Sequence, residues 1–337
     1  MLLSISSSRG KRYWLLAAVS MLGTIVLILA LAEWYWARQG YLADVVDSRQ
    51  LWALQRDKAH GDDVVAFLGA SRTQYGVDLA AAKTELPGWR MAMLAINGHY
   101  PLATLRDLAE DTAFKGRVVV DVDARGLAIA SRWDQQPWVD YYHAQWTPAW
   151  ALHRRLLSLW QEMMAIGSPE LGALPWLRRT LDAAPAPWKS HADMRSDRTG
   201  ALDFTQVDQT QAAAAFAAGM REGLRLFPPP PAEQWLADLA EVAEWIRAIE
   251  QRGGRVVLYE PPVSGQQKEL ADAAFPRSEY WDQITPRYGI ETLTFRDVET
   301  LQAIDLPDES HVAGADRAGY TKALIEVLRT QGFFAED

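Results

Sequence analysis

The chain opens with an apolar run. From Tyr13 to Ala32 the sequence YWLLAAVSMLGTIVLILALA carries no charge, and as a helix it is long enough to cross about 30 Å of hydrocarbon. Beyond it the apolar residues fall into short runs separated by mixed segments. VVAFLGAS (Val64–Ser71) is continuous rather than alternating, the pattern of a parallel strand covered on both faces. DLAAAKTEL then predicts a helix, WRMAMLAI (Trp89–Ile96) a second strand, PLATLRDLAEDTAF a second helix and RVVVDVD (Arg117–Asp123) a third strand. This alternation predicts right-handed βαβ units and an open parallel sheet of about five strands between helical layers.

From Ser131 to Pro231 the alternation stops and no strand is predicted. Helical pieces such as PAWALHRRLLSLWQEMMAI and QAAAAFAAGMREGLRLF fill this stretch, ended by FPPPP, whose prolines cannot continue a helix. Alternation resumes with the helix AEQWLADLAEVAEWIRAIEQ, a fourth strand in GGRVVLYEPP (Gly253–Pro262), a fifth near GIETLTFRDV and a closing helix from about Gly314 to Arg329. The expected organisation is a cytoplasmic tail over 1–12, a transmembrane helix over 13–36, a helical stalk over 37–62, an α/β domain over 63–130 and 232–337, and a helical insertion over 131–231.

Arg9, Lys11 and Arg12 precede the apolar run, and Trp34, Tyr35 and Trp36 follow it where an interfacial aromatic belt would sit. The positive-inside rule then makes the N-terminus cytoplasmic and the rest extracytoplasmic: a single-pass protein of the inner (cytoplasmic) membrane with a periplasmic C-terminal domain. Ala30-Leu31-Ala32 has the small-x-small form of a signal-peptide cleavage site, but the run exceeds the usual apolar core of about 7–15 residues, which favours a retained anchor. Over 337 residues, 34 Lys and Arg against 43 Asp and Glu give a net charge of −9 without a basic patch, which argues against a nucleic-acid partner. Cysteine is absent, which removes disulfides, thiol nucleophiles and thiolate zinc sites. Asp121 and Asp123 alternate on one strand, yet a single such pair is a weak metal signal, so no metal or cofactor is expected.

In open parallel sheets, ligands sit outside the C-terminal ends of the strands. Ser71 follows the first strand, Gly98 in AINGHYP the second, Asp123 and Arg125 the third and Glu260 the fourth. In LPDESHVAGADRAGYTKAL, Asp308 and His311 stand three apart just before the last helix. A serine hydroxyl becomes a nucleophile when an imidazole takes its proton, and a carboxylate fixes the imidazole's tautomer. Ser71, His311 and Asp308 supply these three roles. The backbone N–H groups of Ser71 and Gly98 are natural donors to a developing oxyanion.

Together, LGASRTQYGVD, Gly98 and Asp308-x-x-His311 resemble the SGNH (GDSL-like) hydrolase superfamily, and particularly its membrane-anchored bacterial branch linked to acylation or deacylation of cell-surface polysaccharides. The resemblance covers roughly 64–123 and 253–328. It implies an SGNH-like three-layer sandwich and serine-dependent O-acyl, chiefly acetyl, transfer or ester hydrolysis on an extracytoplasmic polysaccharide through an acyl-enzyme. It also implies partners: the polysaccharide, an acyl donor or membrane acyltransferase, and other synthesis or export proteins. The third block departs from the pattern. VVVDVDARGL lacks the family's Gly-x-Asn, and Asn97, the single asparagine of the chain, adjoins Gly98 instead. The third oxyanion donor is then Asn97 or Arg125, or the site works with two backbone donors, or the protein is an inactive member. The rival reading is accordingly a catalytically inactive, membrane-tethered glycan-binding or scaffold component of a polysaccharide complex; an esterase acting on lipid is a third.

Arg72, beside the nucleophile, is a candidate for binding an anionic or hydroxyl-rich substrate, as are His99 and Arg125. Asp57-x-x-His60 and Asp140-x-x-His143 repeat the acid–base spacing. His60 falls in the stalk and is expected on the surface. His143 lies in the insertion, where it is a candidate for touching substrate or replacing His311. Trp133, Trp138, Trp146 and Trp150 cluster at the start of the insertion, either as platforms for sugar rings or as ordinary packing.

Overall fold

The computed structural model describes residues 8–335 apart from Trp188; positions 1–7 of the expected tail lie outside the described residues. Along the chain follow α1 (Ser8–Arg38), α2 (Arg49–Arg56), β1 (Val64–Leu68), α3 (Ser71–Gly76), α4 (Leu79–Glu85), β2 (Arg90–Met93), α5 (Leu102–Glu110), β3 (Arg117–Asp121), α6 (Gln136–Gln145), α7 (Pro148–Met163), α8 (Ala173–Leu181), β4 (Ala192–Met194), β5 (Gly200–Leu202) and α9 (Gln209–Leu226). The remainder comprises α10 (Ala232–Asp238), α11 (Ala240–Glu250), β6 (Arg255–Glu260), α12 (Gly265–Ala274), α13 (Ile284–Tyr288), β7 (Glu291–Thr294), α14 (Glu299–Gln302) and α15 (Arg317–Thr330). The chain divides into two compact units, residues 1–46 with 157–189 and residues 47–156 with 190–337.

The larger unit is built on a five-stranded sheet in the order β2-β1-β3-β6-β7, with every neighbouring pair parallel. Phe67 of β1 pairs with Val119 of β3, which pairs with Val257 of β6. Alternate side chains feed two cores, as the period of two requires. Val64, Ala66 and Leu68 pack with Trp52, Leu105 and Ile246, whereas Val65 and Phe67 pack with Ala82, Leu324 and Leu328. All residues of β1 and β3 are buried, which accounts for the unbroken apolar run of β1 and the Val118–Val120 centre of β3. The order reverses direction between β1 and β3, and such a switch point opens a crevice at the strands' C-terminal ends.

Two expectations are corrected. The helix within the predicted stalk, α2, belongs to the larger unit: Leu51 through Arg56 are all buried, with Trp52 fully enclosed and its indole N–H donating to Leu94 O at 3.0 Å. Arg56 is held by Asp107 and Asp111 at 2.5 and 2.9 Å. The stretch 131–231, predicted without strands, contains the antiparallel hairpin β4–β5; each strand has three residues, too few to display alternation. That stretch is also divided, since 157–189 group with the N-terminal helix and its flanks with the sheet. Within α1, Arg12–Arg38 is long and apolar enough to cross a membrane.

Candidate active site

The turn after β1 is fixed by close approach. A side chain on Gly69 would lie 2.8 Å from both Asp121 Cβ and Thr73 Oγ1, so only glycine lets the backbone pass under β3. Two residues later Ser71 opens α3. Its Oγ is 2.8 Å from His311 Nε2, and His311 Nδ1 is 2.8 Å from Asp308 Oδ2. Asp308 Oδ1 accepts the backbone N–H groups of Ser310 and His311 at 3.0 and 2.7 Å. The carboxylate thus holds the proton on Nδ1 and leaves the Nε2 lone pair facing the serine hydroxyl. Asp308 and His311 are 2% and 4% exposed. Burial pushes the Asp308 carboxyl up, but the hydrogen bonds and charge of His311, with the backbone N–H bonds, outweigh it and hold the group below the ordinary carboxylate range.

The loop bearing Asp308 and His311 is pinned from two sides. Glu309 has a left-handed φ of 67°; its carbonyl accepts the Ser264 N–H at 3.0 Å and its carboxylate the Gln266 N–H at 2.8 Å, at the start of α12. A Cβ on Gly265 would fall 2.0 Å from that carboxylate, so the contact demands glycine there. On the other side Gly314 N–H donates to Leu202 O at 2.8 Å, and Arg317 reaches Gly200 O and Asp78. The unpredicted hairpin therefore braces the loop after His311.

The loop after β2 meets the turn after β1 where Ile96 N–H donates to Gly69 O at 3.0 Å. Gly98 adopts φ 76°, and its N–H has no hydrogen-bond partner among the described residues. Ser71, as the first residue of a helix, has no intrahelical acceptor for its own N–H. Asn97 has its backbone N–H bound by Gln74 Oε1 at 2.7 Å, and its amide donates one bond to Tyr75 OH at 3.3 Å. Gln135, which the sequence did not single out, joins the two loops. Fully buried, it donates from Nε2 to Gly69 O and His99 O, both at 3.0 Å, and its Oε1 accepts the Thr104 hydroxyl.

Arg72 is paired with the protein's own carboxylates, Asp123 at 3.2 Å and Asp121 at 3.8 Å. Burial keeps Asp121 above its ordinary range despite Arg72 and the Thr73 hydroxyl; for Asp123 burial acts in the same sense, but Arg72 and Arg125 prevail and lower it. Arg125 Nε donates to Tyr100 OH at 2.8 Å and lies beside α9, where a Cβ on Gly223 would be 3.5 Å from its Nη1. From the same helix Phe216 lays its ring 5.2 Å from that of His311.

His99 stacks on Trp138 at 4.6 Å. His143 is on α6, bound to Asp107 of the Arg56 cluster, so His311 and not His143 meets the serine. His60, 42% exposed, lies beside Asp111. The tryptophans do not form one platform: Trp133 packs on Trp245, Trp138 on His99, Trp150 on His153, and Trp146 donates to Asp57 beside a cavity of about 380 Å³.

No protein-family model matches the chain, and no curated protein matches it. Solved structures that match include one titled "Crystal Structure of TesA", at 12% identity over 79% of this chain and 98% of that one, with a TM-score of 0.35.

Proposed function

We propose that the chain is an SGNH-type serine esterase or O-acyltransferase, anchored in the inner membrane by α1, that transfers or hydrolyses acetyl esters on an extracytoplasmic polysaccharide. The observation that carries the reading is the continuous Ser71–His311–Asp308 hydrogen-bonded chain at the β1/β3 switch point. His311 takes the proton of Ser71 as Oγ attacks the ester carbonyl, and Asp308 stabilises the imidazolium that forms. The tetrahedral oxyanion is met by the Ser71 and Gly98 N–H groups, neither of which has a hydrogen-bond partner among the described residues. Collapse expels the alcohol, which receives its proton from His311, and leaves Ser71 acylated. A water or a sugar hydroxyl, deprotonated by His311, then releases the acyl group and restores the serine. Without the family's Gly-x-Asn, two backbone donors carry the oxyanion.

The acyl donor is an activated ester or a membrane acyltransferase, and other polysaccharide synthesis and export proteins are the expected partners. Incubation of the full chain with p-nitrophenyl acetate tests the chemistry. Release of p-nitrophenol, with one acetyl group trapped on Ser71 by acid quench, is expected, and addition of an oligosaccharide acceptor should divert acetyl from water to sugar. A folded protein that releases no p-nitrophenol and gains no acetyl group would instead support the tethered glycan-binding component.

A further inference from the structure

We propose that the segment Leu157–Leu181 is a membrane-surface element, in which α8 and the end of α7 bury their apolar side chains at the headgroup and acyl boundary of the bilayer that α1 crosses. The proposal goes beyond the catalytic reading and rests only on α1 spanning that bilayer.

The position of the segment follows from its attachment to α1. Glu33 accepts the N–H groups of Ala165 and Ile166 at 2.8 and 3.2 Å. Trp36 and Tyr41 form a small core with Ala165 and Leu171, and the Tyr41 hydroxyl donates to Pro187 O at 2.6 Å. Glu33 and Trp36 flank the aromatic residues Trp34 and Tyr35, 54% and 43% exposed, the residue types that sit at a membrane–water interface. The segment is therefore fastened to α1 at the level where that helix leaves the hydrocarbon. Helix α8 begins at Ala173, two residues after Leu171, and two residues of chain span no more than about 7 Å.

Among the described residues, none covers the leucine face of α8. No residue of α8 is buried, yet Leu174, Leu177 and Leu181 recur at i, i+3 and i+7, one face of a helix, and are 58%, 46% and 76% exposed. Trp176 adds a half-exposed indole, and Leu159 and Met163 on α7 are 55% and 75% exposed. Arg178 and Arg179 stand in the last turn of α8. The three leucines share one face, Arg178 stands at its edge and Arg179 farther round, held by Glu170; a leucine face bordered by arginine is the pattern of a helix lying in a lipid interface, where a guanidinium at the edge reaches headgroup phosphates. A second copy of the chain could cover the same face, but the tie to the interfacial end of α1 places it against lipid first.

The absence of cysteine allows a clean test with the full chain in vesicles of phosphatidylethanolamine and phosphatidylglycerol. Single variants Leu177→Cys, Met163→Cys, Ile25→Cys within α1 and Lys83→Cys at an exposed position of α4 are labelled with an environment-sensitive fluorophore and exposed to doxyl lipids or aqueous iodide. Labels at 177 and 163 should be blue-shifted, lose fluorescence to doxyl lipid and resist iodide, while the label at 83 does the reverse. Lipid quenching at 25 but not at 177 and 163 would overturn the proposal with the anchor intact. Shielding from iodide without lipid quenching would overturn it in favour of a protein partner. An unquenched label at 25 would remove the anchor and the proposal together, whereas the serine chemistry is read separately by acetylation of Ser71.

Discussion

Replacing Gln135 by methionine removes a buried amide at nearly constant volume. The side chain makes three hydrogen bonds, to Gly69 O, His99 O and the Thr104 hydroxyl. At a net worth of about 0.5–1.5 kcal/mol each, their loss costs about 2–4 kcal/mol, a drop of several degrees in the unfolding midpoint. Gly69 O keeps its bond from Ile96, so the unsatisfied groups are His99 O and the Thr104 hydroxyl. Function should suffer beyond stability, because the amide ties the turn before Ser71 to the loop carrying Gly98. Misplacement of a reacting geometry by about 1 Å costs about 10²-fold in rate. We therefore expect kcat for p-nitrophenyl acetate to fall by about 10²-fold in Gln135→Met, with KM little changed, measured well below the midpoint. An unfolding midpoint that falls while kcat stays within about twofold would show that Gln135 only supports the fold and would refute its role as a positioning residue.

Arg72→Leu leaves Asp121 and Asp123 without their shared cation; it should cost about 3 kcal/mol, the lower end for a broken buried pair, because Arg125 still faces Asp123. Denaturant unfolding reads this, and unchanged stability with a raised KM for anionic esters alone would make Arg72 a substrate ligand. The depressed Asp308 carboxyl stabilises the fold above the ordinary carboxylate value of about 3.9 and loses that stabilisation as pH falls through its lower folded value. Acid unfolding followed by circular dichroism should accordingly be steeper below about pH 4 in the wild type than in Asp308→Asn; equal slopes would contradict the assignment. Glu309→Ala frees the loop before His311 and should lower kcat about tenfold without raising KM, if the loss of positioning resembles a sub-ångström displacement. Gly265→Ala should be destabilising alone and less so in the Glu309→Ala background, where the cost of a side chain at φ 50° remains but the clash with the Glu309 carboxylate is gone, a coupling that a double-mutant cycle measures.

The parallel sheet was legible because β1 and the centre of β3 are buried on both faces and so read as continuous rather than alternating apolar runs. The meeting of Ser71 with His311 and of His311 with Asp308 was legible because position at strand ends and chemistry agree, whereas spacing alone offered His60 and His143 equally. What escaped depends on distant partners. Gln135 sits 66 residues from Gly69 and 36 from His99, and a glutamine beside a second glutamine and a proline carries no local mark of that role. Glu309 reads as a loop acid until its contact with Gly265 is known. The burial of α2 was not legible because Trp52 and Arg56 look amphipathic by sequence, and only its packing on α6 and β2, with Asp107 of α5 on Arg56, shows both sides of that helix covered. The hairpin β4–β5 is too short for a periodic signal and exists through its contacts with α3 and the loop after His311. The pairing of Arg72 escaped because the sequence does not reveal that Asp121 and Asp123 converge on it.

The central claim is that Ser71 is a nucleophile activated by His311. Mass spectrometry of the full chain after exposure to a fluorophosphonate, compared across wild type, Ser71→Ala and His311→Ala, tests it most directly. The account predicts a single phosphonylated serine, Ser71, absent in Ser71→Ala and reduced by several orders of magnitude in rate in His311→Ala. A folded wild-type protein that stays unlabelled, or one whose Ser71 reacts equally well without His311, would contradict it.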